Sequence, residues 1–221
     1  MISVTIHEDL SDEYDEQFFV NLSNLVNTQE GDGSAIGKIL DNDLPPTVTI
    51  SGTSAQESSE RLVFNVSIST ASGKDIKLQV NTFDGSTTAT SDYVQQSDRS
   101  FTIAAGKSSE TIVVQVINDQ SDEPDETLTL NTALIDPSTA TLLSHNVTGT
   151  IIDDDLPPTL TVADLSAGES SGSLKFVLKL SAPSAYPIQG TVNTANGTAS
   201  AGADYTALVG TPFSFPIGAA Q

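Results

Sequence analysis

The sequence predicts an all-β protein, built as two-sheet Greek-key sandwiches strung in tandem. Three observations carry that expectation. Thr, Ser, Val and Ile dominate the chain while aromatic residues supply only 5%, a composition suited to half-buried strands. Short runs of alternating apolar and polar residues are separated by Gly- and Pro-containing turns. The third observation is internal repetition: Asp43-Leu44-Pro45-Pro46-Thr47 recurs 112 residues on as Asp155-Leu156-Pro157-Pro158-Thr159. The same offset carries Glu57 to Glu169, Phe64 to Phe176, Asp92-Tyr93 to Asp204-Tyr205 and Phe101 to Phe213. Ser11-Asp12-Glu13-Tyr14-Asp15-Glu16 matches Ser121-Asp122-Glu123-Pro124-Asp125-Glu126 at an offset of 110, the difference falling in the hairpin that follows. The chain thus reads as the later half of one repeat (1–44), a complete repeat (45–157) and the earlier half of a third (158–221).

In the complete repeat the elements can be placed in order. Thr47-Val48-Thr49-Ile50 opens it, and Arg61 to Ile68 puts Leu62, Phe64, Val66 and Ile68 on one face. Ile76 to Val80 continues the alternation, followed by Phe101 to Ile103, Thr111 to Ile117, Thr127 to Leu134 and Val147 to Ile152. Turn chemistry separates them at Ser72-Gly73-Lys74-Asp75, Ala105-Gly106-Lys107 and Asp136-Pro137-Ser138. Seven such strands fit two aligned sheets. Leu44-Pro45-Pro46 and Leu156-Pro157-Pro158 read as short stiff joints, because consecutive prolines lock φ.

Charge is the other strong signal. Asp and Glu number 29 against 8 Lys and Arg, a formal net charge of −21. That balance argues against nucleic acid and anionic membrane surfaces as partners, since both would repel it. There is no Cys, so disulfides and thiolate metal sites are excluded. No apolar run approaches the length of a membrane span. The acids are concentrated at strand ends, in Asn118-Asp119 through Glu126 and in Asp153-Asp154-Asp155, with no basic residue between Lys107 and Lys175. Such crowding costs stability unless a cation neutralises it. Oxygen-only ligands on short loops describe a hard-cation site, and Ca2+ takes six to eight of them. The other reading of acidic runs is a solvated surface, but these segments are far apart in sequence and recur at fixed offsets.

Gly85 to Tyr93, Phe101 to Gly106, Ile117-Asn118-Asp119 with Glu123-Pro124-Asp125-Glu126, and Ile151 to Asp155 together resemble a Calx-β repeat. Gly197-Thr198-Ala199-Ser200-Ala201-Gly202-Ala203-Asp204-Tyr205 repeats the opening part in the third unit. The resemblance covers essentially the whole chain. It implies an immunoglobulin-like β-sandwich binding Ca2+ at one pole, as in regulatory domains of sodium-calcium exchangers and in arrays on large bacterial surface proteins. In the middle repeat the implied ligands are Glu57, Asp92, Asn118, Asp119, the Ser121 carbonyl, Glu123, Glu126, Asp153, Asp154 and Asp155. Asn118 stands where many members have Asp, so one charge is missing. Matching positions are Glu8, Asp9, Glu13, Glu16, Asp41, Asn42 and Asp43 in the first unit, and Glu169 and Asp204 in the third. Tyr93 and Tyr205 read as core or corner residues.

Gly168-Glu169-Ser170-Ser171-Gly172 matches a nucleophile-elbow pattern, which needs a following helix and a partner His; neither is expected there, and the chain reads as a non-enzyme. The expected role is a Ca2+-stiffened segment of an extracellular or cell-surface stalk or adhesin, secreted and bacterial. The alternatives are an adhesion module gripping protein or glycan, or a calcium-sensing domain of a membrane protein. Exposed aromatic clusters of the kind that make hot spots are missing, which favours the stalk. The start reads as mid-strand, as in an excised piece with a start Met added. The expected partners are neighbouring repeats, and the half-repeats are expected to complete each other head to tail, with Ile2-Ser3-Val4-Thr5-Ile6 as the first strand of the later half.

Overall fold

A computed structural model of the protein describes residues 1–29 and 31–219; Glu30 and the last two residues of the third unit, Ala220 and Gln221, lie outside the described residues. The first unit contributes one hairpin, β1 (Glu16–Asn21) and β2 (Ser34–Ile39), paired antiparallel from Glu16↔Ile39 to Asn21↔Ser34. The middle unit carries nine strands: β3 (Thr47–Ile50), β4 (Thr53–Gln56), β5 (Arg61–Ile68), β6 (Ile76–Asp84), β7 (Arg99–Ile103), β8 (Ser109–Gln115), β9 (Glu126–Leu134), β10 (Thr141–Leu142) and β11 (Asn146–Ile152). The third unit has β12 (Leu160–Val162) with β13 (Leu178–Leu180) and β14 (Ile188–Val192) with β15 (Thr211–Phe215). The fold is all-β, immunoglobulin-like Greek-key sandwich repeats in tandem.

The middle sandwich packs a four-stranded sheet, β10-β3-β5-β8, on a five-stranded sheet, β4-β11-β9-β6-β7. Alternation decides which side chains face inward. Leu62, Phe64, Val66 and Ile68 of β5 are buried beside Ile112 and Val114 of β8, opposite Ile76, Leu78 and Val80 of β6 and Leu128 and Leu130 of β9. Each such side chain contributes about 1.5–3 kcal/mol on burial.

The nine strands exceed the seven expected from the sequence. β4 and β10 are the additions, and both lie at sheet edges in parallel pairing, β4 with β11 and β10 with β3. Thr53-Ser54-Ala55-Gln56 has no apolar alternation, so its strand character comes from pairing with β11 rather than from its side chains. Ile117 lies past the end of β8. Residues 2–6 form no strand, a correction to the expectation for the first unit. The corresponding middle segment is a strand because it pairs with β5, whereas among the described residues no strand pairs with residues 2–6; Ile2, Val4 and Ile6 stay exposed.

Among the described residues, Thr90 is the one β-branched residue held at positive φ. Thr90 has φ 78, while the position 112 residues on is Gly202 at φ 88. A β-branched side chain in that region costs about 1–3 kcal/mol. Thr90→Gly is therefore expected to raise the stability of the middle unit by about 1 kcal/mol, after allowance for the freedom glycine adds to the unfolded chain. Urea unfolding checks this; a lower midpoint would show that the turn is not strained.

Candidate metal centre

Strand register builds the site at one pole of the middle sandwich. β11 runs parallel to β4, with Ile152 opposite Gln56, so Asp153 and Glu57 leave adjacent strands side by side. β9 starts at the same end, Glu126 opposite Ile151. The loop leaving β8 is tied in by Val116 N–H to the Glu60 carbonyl (3.0 Å) and by Ile117 N–H to the Asp92 carbonyl (2.9 Å). Glu57 opens a short 3-10 turn, Glu57–Ser59, that closes on a left-handed Glu60.

Two groups of three carboxylates result, each with ligand atoms within 4.8 Å of one another: Glu57, Asp119 and Asp155, and Asp92, Glu123 and Glu126. Among the described residues, groups of this kind occur only here. Glu57 is buried, and Glu57 Oε1, Asp153 Oδ1 and Asp155 Oδ2 are buried oxygens without a hydrogen-bond partner. An orphaned buried acceptor is costly, and a hard cation would satisfy these. The all-oxygen donor set thus fits calcium, which when bound would supply the positive charge the pole lacks.

Burial, then the neighbouring Asp155 carboxyl, pushes Glu57 up to about 7. Burial, then Asp92, pushes Glu126 up to about 7. Glu123 and Asp153 are also raised, by burial first, with Asp119 crowding Glu123 and Asp155 crowding Asp153. The ordinary value for Glu is 4.5. Between that value and 7 the metal-free fold therefore holds protons that the unfolded chain has released, so stability is fully present below the window and falls as pH rises through it. The melting temperature of calcium-free protein is expected to drop from about pH 5 to about pH 7.5, the span set by these raised carboxyls. A profile that is flat or rising would contradict this.

The remaining expected ligands divide. Asp154 is exposed, accepts hydrogen bonds from Ser58 N–H and Oγ–H, and joins neither group of three carboxylates. Ser121 is buried and donates its N–H to Asp119 Oδ1 at 2.6 Å, which holds the loop closed around Asp119. Asn118 is exposed. In the first unit Asp9 makes the same turn, accepting Ser11 N–H at 2.8 Å, while Glu8, Glu13, Glu16, Asp41, Asn42 and Asp43 join no group of three. Asp43 is raised by burial and by its crowding with Asp41, Asp9 and Glu8. In the third unit Glu169 is exposed on a 3-10 turn, and Asp204 accepts Ser200 N–H at 2.8 Å.

Three positioning residues were not legible as such. Ser58 holds Asp154; Asp125 Oδ1 accepts Asp153 N–H at 3.2 Å; Asp84 Oδ1 accepts Tyr93 O–H at 2.7 Å and Ala89 N–H at 3.0 Å. The signal was available in the repeat. Asp15 accepts Asp41 N–H in the first unit, and Asn196 accepts Tyr205 O–H and Ala201 N–H in the third. Tyr93 is fully buried and belongs to the core, one of the two places expected for it.

A sequence model of the Calx-beta domain matches residues 1–43, 41–156 and 157–220. The chain belongs to the Calx-beta family. Calx-beta is a non-catalytic domain type, and its members typically bind calcium. Among solved structures, this Calx-beta chain is similar to the apo-form Calx CBD1 domain, at 18% identity over 50% of this chain and 98% of that one, with TM-score 0.43. It is also similar to the calcium binding domain CBD12 of CALX1.1, at 19% identity over 78% of this chain and 71% of that one, TM-score 0.45. A third similarity is to the E. coli chaperone DraB, at 12% identity over 79% and 86%, TM-score 0.36. Comparison with curated proteins gives no match. No helix among the described residues is long and apolar enough to cross a membrane.

Proposed function

We propose that the chain is a calcium-binding structural segment that stiffens an extracellular stalk or adhesin. The observation that carries this reading is the pair of carboxylate groups, Glu57/Asp119/Asp155 and Asp92/Glu123/Glu126, converging beside three orphaned buried oxygens. Four connecting segments meet there, so a bound cation ties the strand ends together and ties them to the Leu156-Pro157-Pro158 joint that follows Asp155. Calorimetric titration of Ca2+ into chelator-stripped protein tests it. Saturable binding is expected, and Glu126→Gln is expected to weaken it by removing one charged ligand; absence of binding heat at every temperature tried would overturn the reading.

We further propose that the two terminal units of this chain pair between copies. By the spacing of the repeat, residues 1–44 read as the later half of a repeat and 158–221 as the earlier half. Ile2, Ile6 and Phe19 in the first, and Val162, Phe176 and Val209 in the third, are exposed apolar side chains of the kind a completed sandwich covers. Head-to-tail pairing then gives rings or filaments, seen in sedimentation as mass rising with concentration. A strict monomer at high concentration would rule it out.

A further inference from the structure

The two joints between units share one backbone latch and differ in one charged residue. At the first, the Asp12 carbonyl accepts Gly73 N–H at 3.0 Å and Ser72 Oγ–H at 2.9 Å. At the second, the Asp122 carbonyl accepts Ala185 N–H at 2.9 Å, and Asp122 Oδ2 accepts Ser184 Oγ–H at 3.2 Å. The latch extends further in the same way: Gly106 N–H donates to the Ser72 carbonyl, Gly218 N–H to the Ser184 carbonyl. The next position breaks the likeness, with Lys74 at the first joint and Tyr186 at the second.

Lys74 reaches back across the joint. Its Nζ lies 2.7 Å from Asp12 Oδ1, 4.0 Å from Asp41 Oδ2 and 5.4 Å from the centre of the Tyr14 ring. A second lysine, Lys38, sits 2.6 Å from Asp15 Oδ2, and the position 112 residues on is Thr150. Among the described residues these three ion pairs are the ones within 4.0 Å, and all of them lie on the acidic end of the first unit. Among the described residues Asp122, Asp125 and Asp153, the counterparts of Asp12, Asp15 and Asp41, have no such partner.

We propose that Lys74 is a tethered counter-ion that latches the first joint without metal, while the second joint, lacking it, is held by hydrogen bonds with no ion pair and opens more freely. The ammonium comes from the unit after the joint and the carboxylates from the unit before it, so opening must separate them. The Asp12 side chain is 3% exposed and that of Lys74 17%, so solvent screens this pair far less than a surface one. Separation leaves Asp12 without its cation, along with Asp41, whose Oδ2 lies 4.0 Å from the same ammonium. At the second joint nothing of opposite charge is lost on opening, and Asp122 and Asp153 repel each other whether it is open or closed. The two joints thus give a chain of repeats unequal hinges from one sequence position.

The inference stands apart from calcium, and the test is run in chelator. The chain has no Cys, so introduced pairs take spin labels uniquely. Exposed strand positions Ala35 with Thr111 span the first joint, and Thr111 with Thr191 the second. Distance distributions by pulsed electron resonance are expected to be narrow across the first joint and broad across the second. Lys74→Tyr should broaden the first to resemble the second, and Tyr186→Lys should narrow the second. Equal widths in the parent chain, or a first joint indifferent to Lys74→Tyr, would overturn the proposal; should Lys74→Tyr disturb folding, a second joint unmoved by Tyr186→Lys overturns it instead.

Discussion

Stripping calcium is expected to lower the melting temperature of the middle unit by roughly 10 °C. Calcium binds the folded pole and binds the unfolded chain poorly, because Glu57, Asp92, Asp119 with Glu126, and Asp155 come from four separated segments that only the fold assembles. At a concentration a hundred times the dissociation constant, mass action adds about 2.7 kcal/mol. For a unit of this size, each kcal/mol moves the midpoint by about 4 °C or somewhat more. Glu126→Gln and Asp119→Asn should each shrink the calcium-induced shift while leaving the chelated protein as stable or more so, since each removes one charge from a repelling group. Identical melting curves in chelator and in millimolar calcium would mean that the pole is only a solvated acidic surface.

Phe64→Ala is expected to cost about 3–5 kcal/mol, the range for deleting a buried aromatic ring from a core that relaxes only partly. Phe64 is fully buried on β5, and across the sandwich its ring occupies the space beside Gly149 of β11, where a Cβ would approach Phe64 Cζ to 2.7 Å. The hole therefore opens between the sheet that carries the β8 loop and the strand that delivers Asp153 to Asp155. Loss of packing there should loosen both contributions to the metal pole, so saturating calcium is expected to recover part of the lost midpoint. Urea unfolding with and without calcium checks both statements. A cost below about 1 kcal/mol would show that neighbouring side chains collapse into the space, contrary to the close packing expected of such a core.

How far residues predicted position depended on how local the determinant was. The alternation of Leu62, Phe64, Val66 and Ile68 requires only that one strand bury one face, and the buried set agrees with it residue by residue. The acids of the pole were legible because like charges recur at strand ends at a fixed spacing, and that pattern survives without knowledge of pairing. Asp154 was not separable from Asp153 and Asp155 on those grounds. Three consecutive aspartates look alike in a string; successive side chains leaving β11 point different ways, and the one that turned toward Ser58 was decided by the 3-10 turn of a segment nearly a hundred residues earlier. Residues 2–6 show the same limit from the other side, since an apolar alternating run becomes a strand only when a partner strand offers its hydrogen bonds.

The sequence by itself determined the all-β class, the repeat of 112 residues, the inward face of each main strand and the oxygen-rich pole, because periodicity and charge are properties of residues taken along the chain. Only the tertiary structure decided that the acids divide into two groups of three, that β4 and β10 exist, and that Lys74 crosses to Asp12 where Tyr186 cannot. Each of those depends on which strand ends are brought side by side, and hydrogen-bond register across a sheet is set by the packing of the whole sandwich rather than by any stretch within it.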